Sequence, residues 1–67
     1  MKELVNLSKN LRFLRAQSGL TQREVADKLE ITYQSYQAYE LGITVPTLKN
    51  FIKLAKLFDV SYEELFE

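Results

Sequence analysis

Sixty-seven residues with no Cys, no His, two Gly and one Pro make one small domain at most, folded without disulfides or thiolate metal sites. Apolar residues at 46% against charged residues at 27% fit a packed chain rather than a disordered one. With neither imidazole nor thiol and no Gly-rich phosphate loop, no catalytic centre, metal, cofactor or small-molecule ligand is expected.

No apolar run exceeds two residues, so no segment can span a membrane. Residues 1–10 are charged and lack an apolar signal core, so secretion is not expected. The expectation is a single cytoplasmic domain over residues 1–67. Nine Lys and Arg balance nine Asp and Glu, but unevenly. Four of the acids (Asp59, Glu63, Glu64, Glu67) lie in residues 59–67 with no base, leaving five acids against nine bases before them.

Apolar residues recur at the helical period and strict alternation is absent, so the chain reads as all-α. Leu7, Leu11 and Leu14 mark a first helix running to about Gln17, stopped by Ser18 and Gly19. Thr21 opens a second helix, with Glu24 completing a capping box and Val25, Ala26 and Leu29 facing inward. Thr32 caps a third helix, which ends at Gly42. Pro46 and Thr47 announce a fourth. Its expected inner stripe is Leu48, Phe51, Ala55 and Phe58, flanked by Ile52 and Leu54. Ser61 with Glu64 forms another capping box for a fifth, short helix carrying Leu65 and Phe66. The expected fold is a compact five-helix domain.

At about 100° per residue, the third helix turns Tyr36 and Tyr39 to one side and Gln34, Gln37 and Ala38 to the other. Tyr33 and Ser35 lie on the borders. A glutamine amide offers a donor and an acceptor together, which matches the edge of adenine in the DNA major groove. Such an outer face can read DNA or can be ordinary solvated surface. This helix contains no Lys or Arg.

Leu11 to Leu65 resembles the helix-turn-helix family of lambda-type repressors, Cro proteins and XRE-type regulators. The resemblance is carried by L-R-x-L-R at Leu11–Arg15, G-L-T-Q at Gly19–Gln22, V-A-x-K-L at Val25–Leu29 and I-T at Ile31–Thr32. It continues with E-x-G at Glu40–Gly42, P-T-L at Pro46–Leu48 and K-L-A-K-L-F-D-V-S at Lys53–Ser61. The resemblance implies a lambda repressor-like DNA-binding domain whose third helix enters the major groove of a double-stranded operator. It places base reading at Tyr33, Gln34, Gln37 and Ala38, with Ser35 and Gln22 as backbone contacts. Arg23, Lys49 and Asn50 are further candidates for phosphate. It also implies a partly buried ion pair between Arg15 and Glu40, linking the first helix to the end of the third.

Two departures from the family pattern stand out. Glu30 occupies a turn position where the family usually has Gly in a left-handed conformation, at a cost of about 1 kcal/mol. Leu41, Ile43 and Val45 stand where many relatives carry Arg or Lys, which implies fewer phosphate contacts. Regulators of this kind act as two-fold dimers on half-sites, so a homodimer is expected. Phe13, Ile43, Val45, Ile52 and Phe66 are candidates for the subunit contact, unless Phe13 and Phe66 pack together near the chain ends. The expected function is sequence-specific transcriptional regulation, as a repressor. The alternative is a protein–protein interaction module of the same fold with little DNA affinity.

Overall fold

A computed structural model describes residues 2–67. Helix α1 (Lys2–Ser18) is followed by α2 (Gln22–Leu29), α3 (Tyr33–Leu41) and α4 (Leu48–Phe58), and the described chain closes on a 3₁₀ helix, Glu63–Phe66. No strand occurs among the described residues. The expected five α-helices are therefore four α-helices and one 3₁₀ turn. The Ser61 box does form, with Glu64 N–H donating to Ser61 Oγ at 3.1 Å and Ser61 N–H donating to the Glu64 carboxylate at 2.9 Å. The box is followed by the tighter 3₁₀ repeat over Glu63–Phe66, a form common in short helical pieces.

The helix starts are set by local chemistry. Thr21, Thr32 and Thr47 each adopt extended backbone and accept a backbone N–H three residues on, from Glu24, Ser35 and Asn50. These bonds satisfy donors that the first helical turn leaves without partners. The stops share another device. Glu30, Gly42 and Asp59 all sit in left-handed conformations at the ends of α2, α3 and α4. Only Gly42 does so without a Cβ; Glu30 at φ 60° and Asp59 at φ 55° carry the steric cost.

Leu7 and Leu11 from α1, Val25, Ala26 and Leu29 from α2, Tyr36 and Tyr39 from α3, Leu54, Ala55 and Phe58 from α4, and Leu65 from the 3₁₀ turn form one core. The inner stripe of α4 differs from expectation. Leu48 is 75% exposed whereas Leu54 is fully buried, so the helix is rotated about its axis and Asn50, not Leu48, enters the interior. The apolar residues of α4 span too wide an arc for period alone to fix that rotation; packing against α1 and α2 decides it. The last turn anchors through aromatic contacts, with Phe51 lying 5.5 Å from Tyr62 and 5.4 Å from Phe66 between ring centroids. Asn10 of α1 adds a bond by donating to the Leu65 carbonyl at 2.9 Å. No helix among the described residues is long and apolar enough to cross a membrane.

Candidate nucleic-acid interface

Helix α3 buries Tyr36 and Tyr39 and leaves Gln34 and Ser35 exposed, with Tyr33, Gln37 and Ala38 half-buried along the rim. The two inner tyrosines meet edge to face, 6.1 Å between centroids, an arrangement favoured by the ring quadrupoles. At the start of the helix the Thr32 hydroxyl donates to Ser35 Oγ at 2.8 Å, which leaves the Ser35 proton free to point outward. Gln34 makes no side-chain bond among the described residues. Gln37 does: its Nε2 donates to the Tyr33 hydroxyl at 3.1 Å. The Arg23 guanidinium, from the first turn of α2, lies 4.4 Å from the centroid of the Tyr33 ring.

The far end of α3 is held by one buried carboxylate. Glu40, 1% exposed, receives donors from three helices. Its Oε2 accepts from Arg15 Nε at 2.6 Å and from the Tyr36 hydroxyl at 2.5 Å. Its Oε1 accepts from Gln22 Nε2 at 2.9 Å and from Arg15 Nη2 at 3.2 Å. Arg15 also donates to the Leu20 carbonyl at 3.1 Å, and Arg12 donates to the backbone carbonyl of Glu40. Every carboxylate oxygen is doubly served, and no buried side-chain polar atom among the described residues lacks a partner.

Electrostatics follow from this cage. Burial pushes the Glu40 carboxyl upward, but the hydrogen bonds from Arg15, Tyr36 and Gln22 outweigh it and hold the group below its usual range. The same carboxylate raises Arg15 above its ordinary value. Burial first, and then the bond to Glu40, push the Tyr36 phenol well above its ordinary value. Arg15 and Glu40 are both charged at neutral pH. The pair fixes where α1 meets the end of α3; its net stabilisation is reduced by the desolvation of two ions.

Two of the residues expected at the phosphate backbone sit differently from that expectation. Asn50 is only 8% exposed. Its side-chain nitrogen donates to the Tyr39 hydroxyl at 3.1 Å, so it braces α4 against α3 and is not available to a phosphate. The cause is position: Asn50 precedes the buried Leu54 by one helical turn and shares its face. Gln22 is half-buried with one amide hydrogen turned inward to Glu40, leaving its carbonyl oxygen, its second N–H and the first N–H groups of α2 for outside partners. Arg23 and Lys49 are exposed.

Sequence reasoning missed Arg12 and the Tyr36 hydroxyl as partners of Glu40. A signal existed for Arg12, which precedes Arg15 by three residues and so shares its face of α1. Phe66 packs on Phe51, while Phe13 is 63% exposed. A run of exposed apolar side chains follows α3, with Leu41 at 63%, Ile43 at 71%, Val45 at 53% and Leu48 at 75% exposure.

A short helix, a left-handed turn at Glu30 and a second helix with a polar outer rim together constitute a helix-turn-helix unit. Residues 11–65 match the family described as Helix-turn-helix, and the chain belongs to that family. It is 45% identical over 60 residues to the uncharacterized HTH-type transcriptional regulator YqaE of Bacillus subtilis, covering 90% of this chain and 52% of that protein. It is 40% identical over 45 residues to the cryptic phage CTXphi transcriptional repressor RstR of Vibrio cholerae, covering 67% of this chain and 40% of that one. The chain thus spans about half the length, or less, of these two relatives. Among solved structures, the SOS-response transcriptional repressor LexA from Eubacterium rectale superposes with a TM-score of 0.92 at 28% identity, covering all of this chain and 71% of that one. All three are named as transcriptional regulators or repressors.

Proposed function

We propose that this chain binds double-stranded DNA sequence-specifically, lays α3 in the major groove and regulates transcription as a repressor, by occupying an operator. The observation that carries the reading is the split of α3. Its inner side is fixed by Tyr36, Tyr39 and Glu40, while its outer side offers Gln34, Gln37 and Ala38 beside the N-terminus of α2. Amide readers need no charge on the helix itself. Gln34 and Gln37 suit adenine edges, and the Ala38 methyl suits a thymine methyl. The free edges of Gln22, the Arg23 guanidinium, the Ser35 hydroxyl and Lys49 supply the backbone contacts, and Asn50 drops out of that set. Residues 1–67 act as one domain, in the cytoplasm with the DNA. Two copies bind half-sites about one helical turn apart.

A second reading, a protein–protein module of the same fold, draws support from a reading helix without Lys or Arg and from exposed Leu41, Ile43, Val45 and Leu48. Selection of bound duplexes from random DNA at low and moderate salt separates the two. An enriched two-fold site, with affinity that falls as salt rises, is the expected outcome. No retained DNA at low salt would leave the module reading in its place.

A further inference from the structure

Tyr33 touches two of its neighbours at the outer face and does something different to each. Its ring lies under the Arg23 guanidinium, 4.4 Å from centroid to carbon, and its hydroxyl accepts the Gln37 amide at 3.1 Å. One contact reaches back to α2; the other reaches one turn along α3. One face of the Tyr33 ring and its oxygen are therefore engaged before any nucleic acid arrives.

A glutamine that must be ordered on binding loses rotamer freedom, and that loss weakens the contact it makes. A phenol four residues earlier that already holds the amide removes part of that cost. The amide nitrogen carries two hydrogens, so donating one to Tyr33 leaves one N–H and the carbonyl oxygen. Those are the groups that the N6 and N7 edge of adenine takes. The guanidinium of Arg23, with one face covered by the ring, keeps its in-plane N–H edges for a phosphate.

We infer that Tyr33 is a positioning residue for specificity: it presets the Gln37 amide as an adenine reader and steadies Arg23 over the backbone, without reading a base itself. This rests on the DNA-binding reading of α3 and replaces a direct base contact by Tyr33 with an indirect one.

The test uses the full chain and the duplex selected from random DNA, with affinities measured for that duplex and for each of its single base-pair variants. Tyr33→Phe keeps the ring and the stack with Arg23. It is expected to lose about three- to tenfold of discrimination at one base pair, the pair at which Gln37→Ala loses its own, with affinity for random DNA and its salt slope unchanged. In a Gln37→Ala background the same change should do nothing further. Tyr33→Leu, which also removes the ring, should add a uniform loss across all sequences. Unchanged discrimination in Tyr33→Phe, or an equal loss at every pair, would overturn the inference. A second readout needs no DNA: the Gln37 side-chain amide in the free protein should show an NMR shift that moves to that of a solvated glutamine in Tyr33→Phe. An amide that does not move overturns the inference as well. If the unmodified chain enriches no duplex, the DNA reading fails, and the NMR experiment still decides whether Tyr33 holds Gln37.

Discussion

The two ends of α3 are built on opposite terms. At Glu40 a charge is removed from water and enclosed by Arg15, Tyr36 and Gln22; at Gln34 a neutral amide is left to solvent with no bond among the described residues. The first arrangement is costly to disturb and contributes orientation. The second contributes little to folding and is free to meet a ligand. A short helix can thus be rigid in placement while its outer surface remains open to change, because Tyr36 and Glu40 hold it from the inside while Gln34 faces solvent.

The comparison is broken most severely by Arg15→Ala, which strands the Glu40 charge in the interior. A loss of about 3–5 kcal/mol is expected, measurable by urea unfolding, and in so small a domain that approaches the whole stability. DNA binding should fall with it although no base contact is touched. An unfolding midpoint within error of the parent would mean that the cage contributes nothing to the fold.

Gln34→Ala should have the reverse profile. Stability should stay within about 0.5 kcal/mol, as for surface changes generally, while discrimination at one base pair falls by about 1–3 kcal/mol. Equal weakening on every sequence would make Gln34 a backbone contact instead.

Acid sharpens the contrast. Glu40 is held below the ordinary carboxylate value of 4.5, as are Glu24 and Glu64, whose carboxylates accept the backbone N–H groups of Thr21 and Ser61. A carboxyl depressed in the folded state stabilises fully above its unfolded value and loses that contribution as pH falls through the folded one. Stability should therefore be flat at neutral pH and decline below about pH 4.5. Glu40→Gln should flatten part of that decline in a pH series of thermal melts, whereas Gln34→Ala should leave it unchanged.

The smallest effect belongs to the turn that joins α2 to α3. Glu30 at φ 60° is strained by its Cβ, and its contact with Lys53 at 3.6 Å involves a side chain 84% exposed. Glu30→Gly should stabilise by about 1 kcal/mol, read as a small rise in melting temperature. A fall would show that the Lys53 contact outweighs the strain.

Much of this architecture was legible in the sequence wherever one residue acts on its own turn. Thr21, Thr32 and Thr47 announce three helix starts, and Gly42 a stop, because capping is local chemistry. The division of α3 into inner tyrosines and outer glutamines followed from the helical period alone. What stayed hidden depends on neighbours distant in sequence. The rotation of α4, which buries Leu54 and Asn50 and exposes Leu48, is set by packing among helices. The Ser61 capping box announces a helix start but does not distinguish an α-helix from the 3₁₀ turn that forms at Glu63–Phe66. Gln22 looked like a free phosphate ligand because nothing local reveals that Glu40, eighteen residues on, takes one of its amide hydrogens.

The Glu40 cage also bears on the heat of DNA association. Donors from α1, α2 and α3 converge on one carboxylate, so the angle between the two helices of the motif is fixed before binding and no segment of it has to fold on the duplex. Calorimetry of binding should then show a heat-capacity decrease matched to the apolar surface covered at the contact, without the larger decrease that accompanies coupled folding. On the proposed DNA-binding reading, a rigid unit is what would meet the duplex.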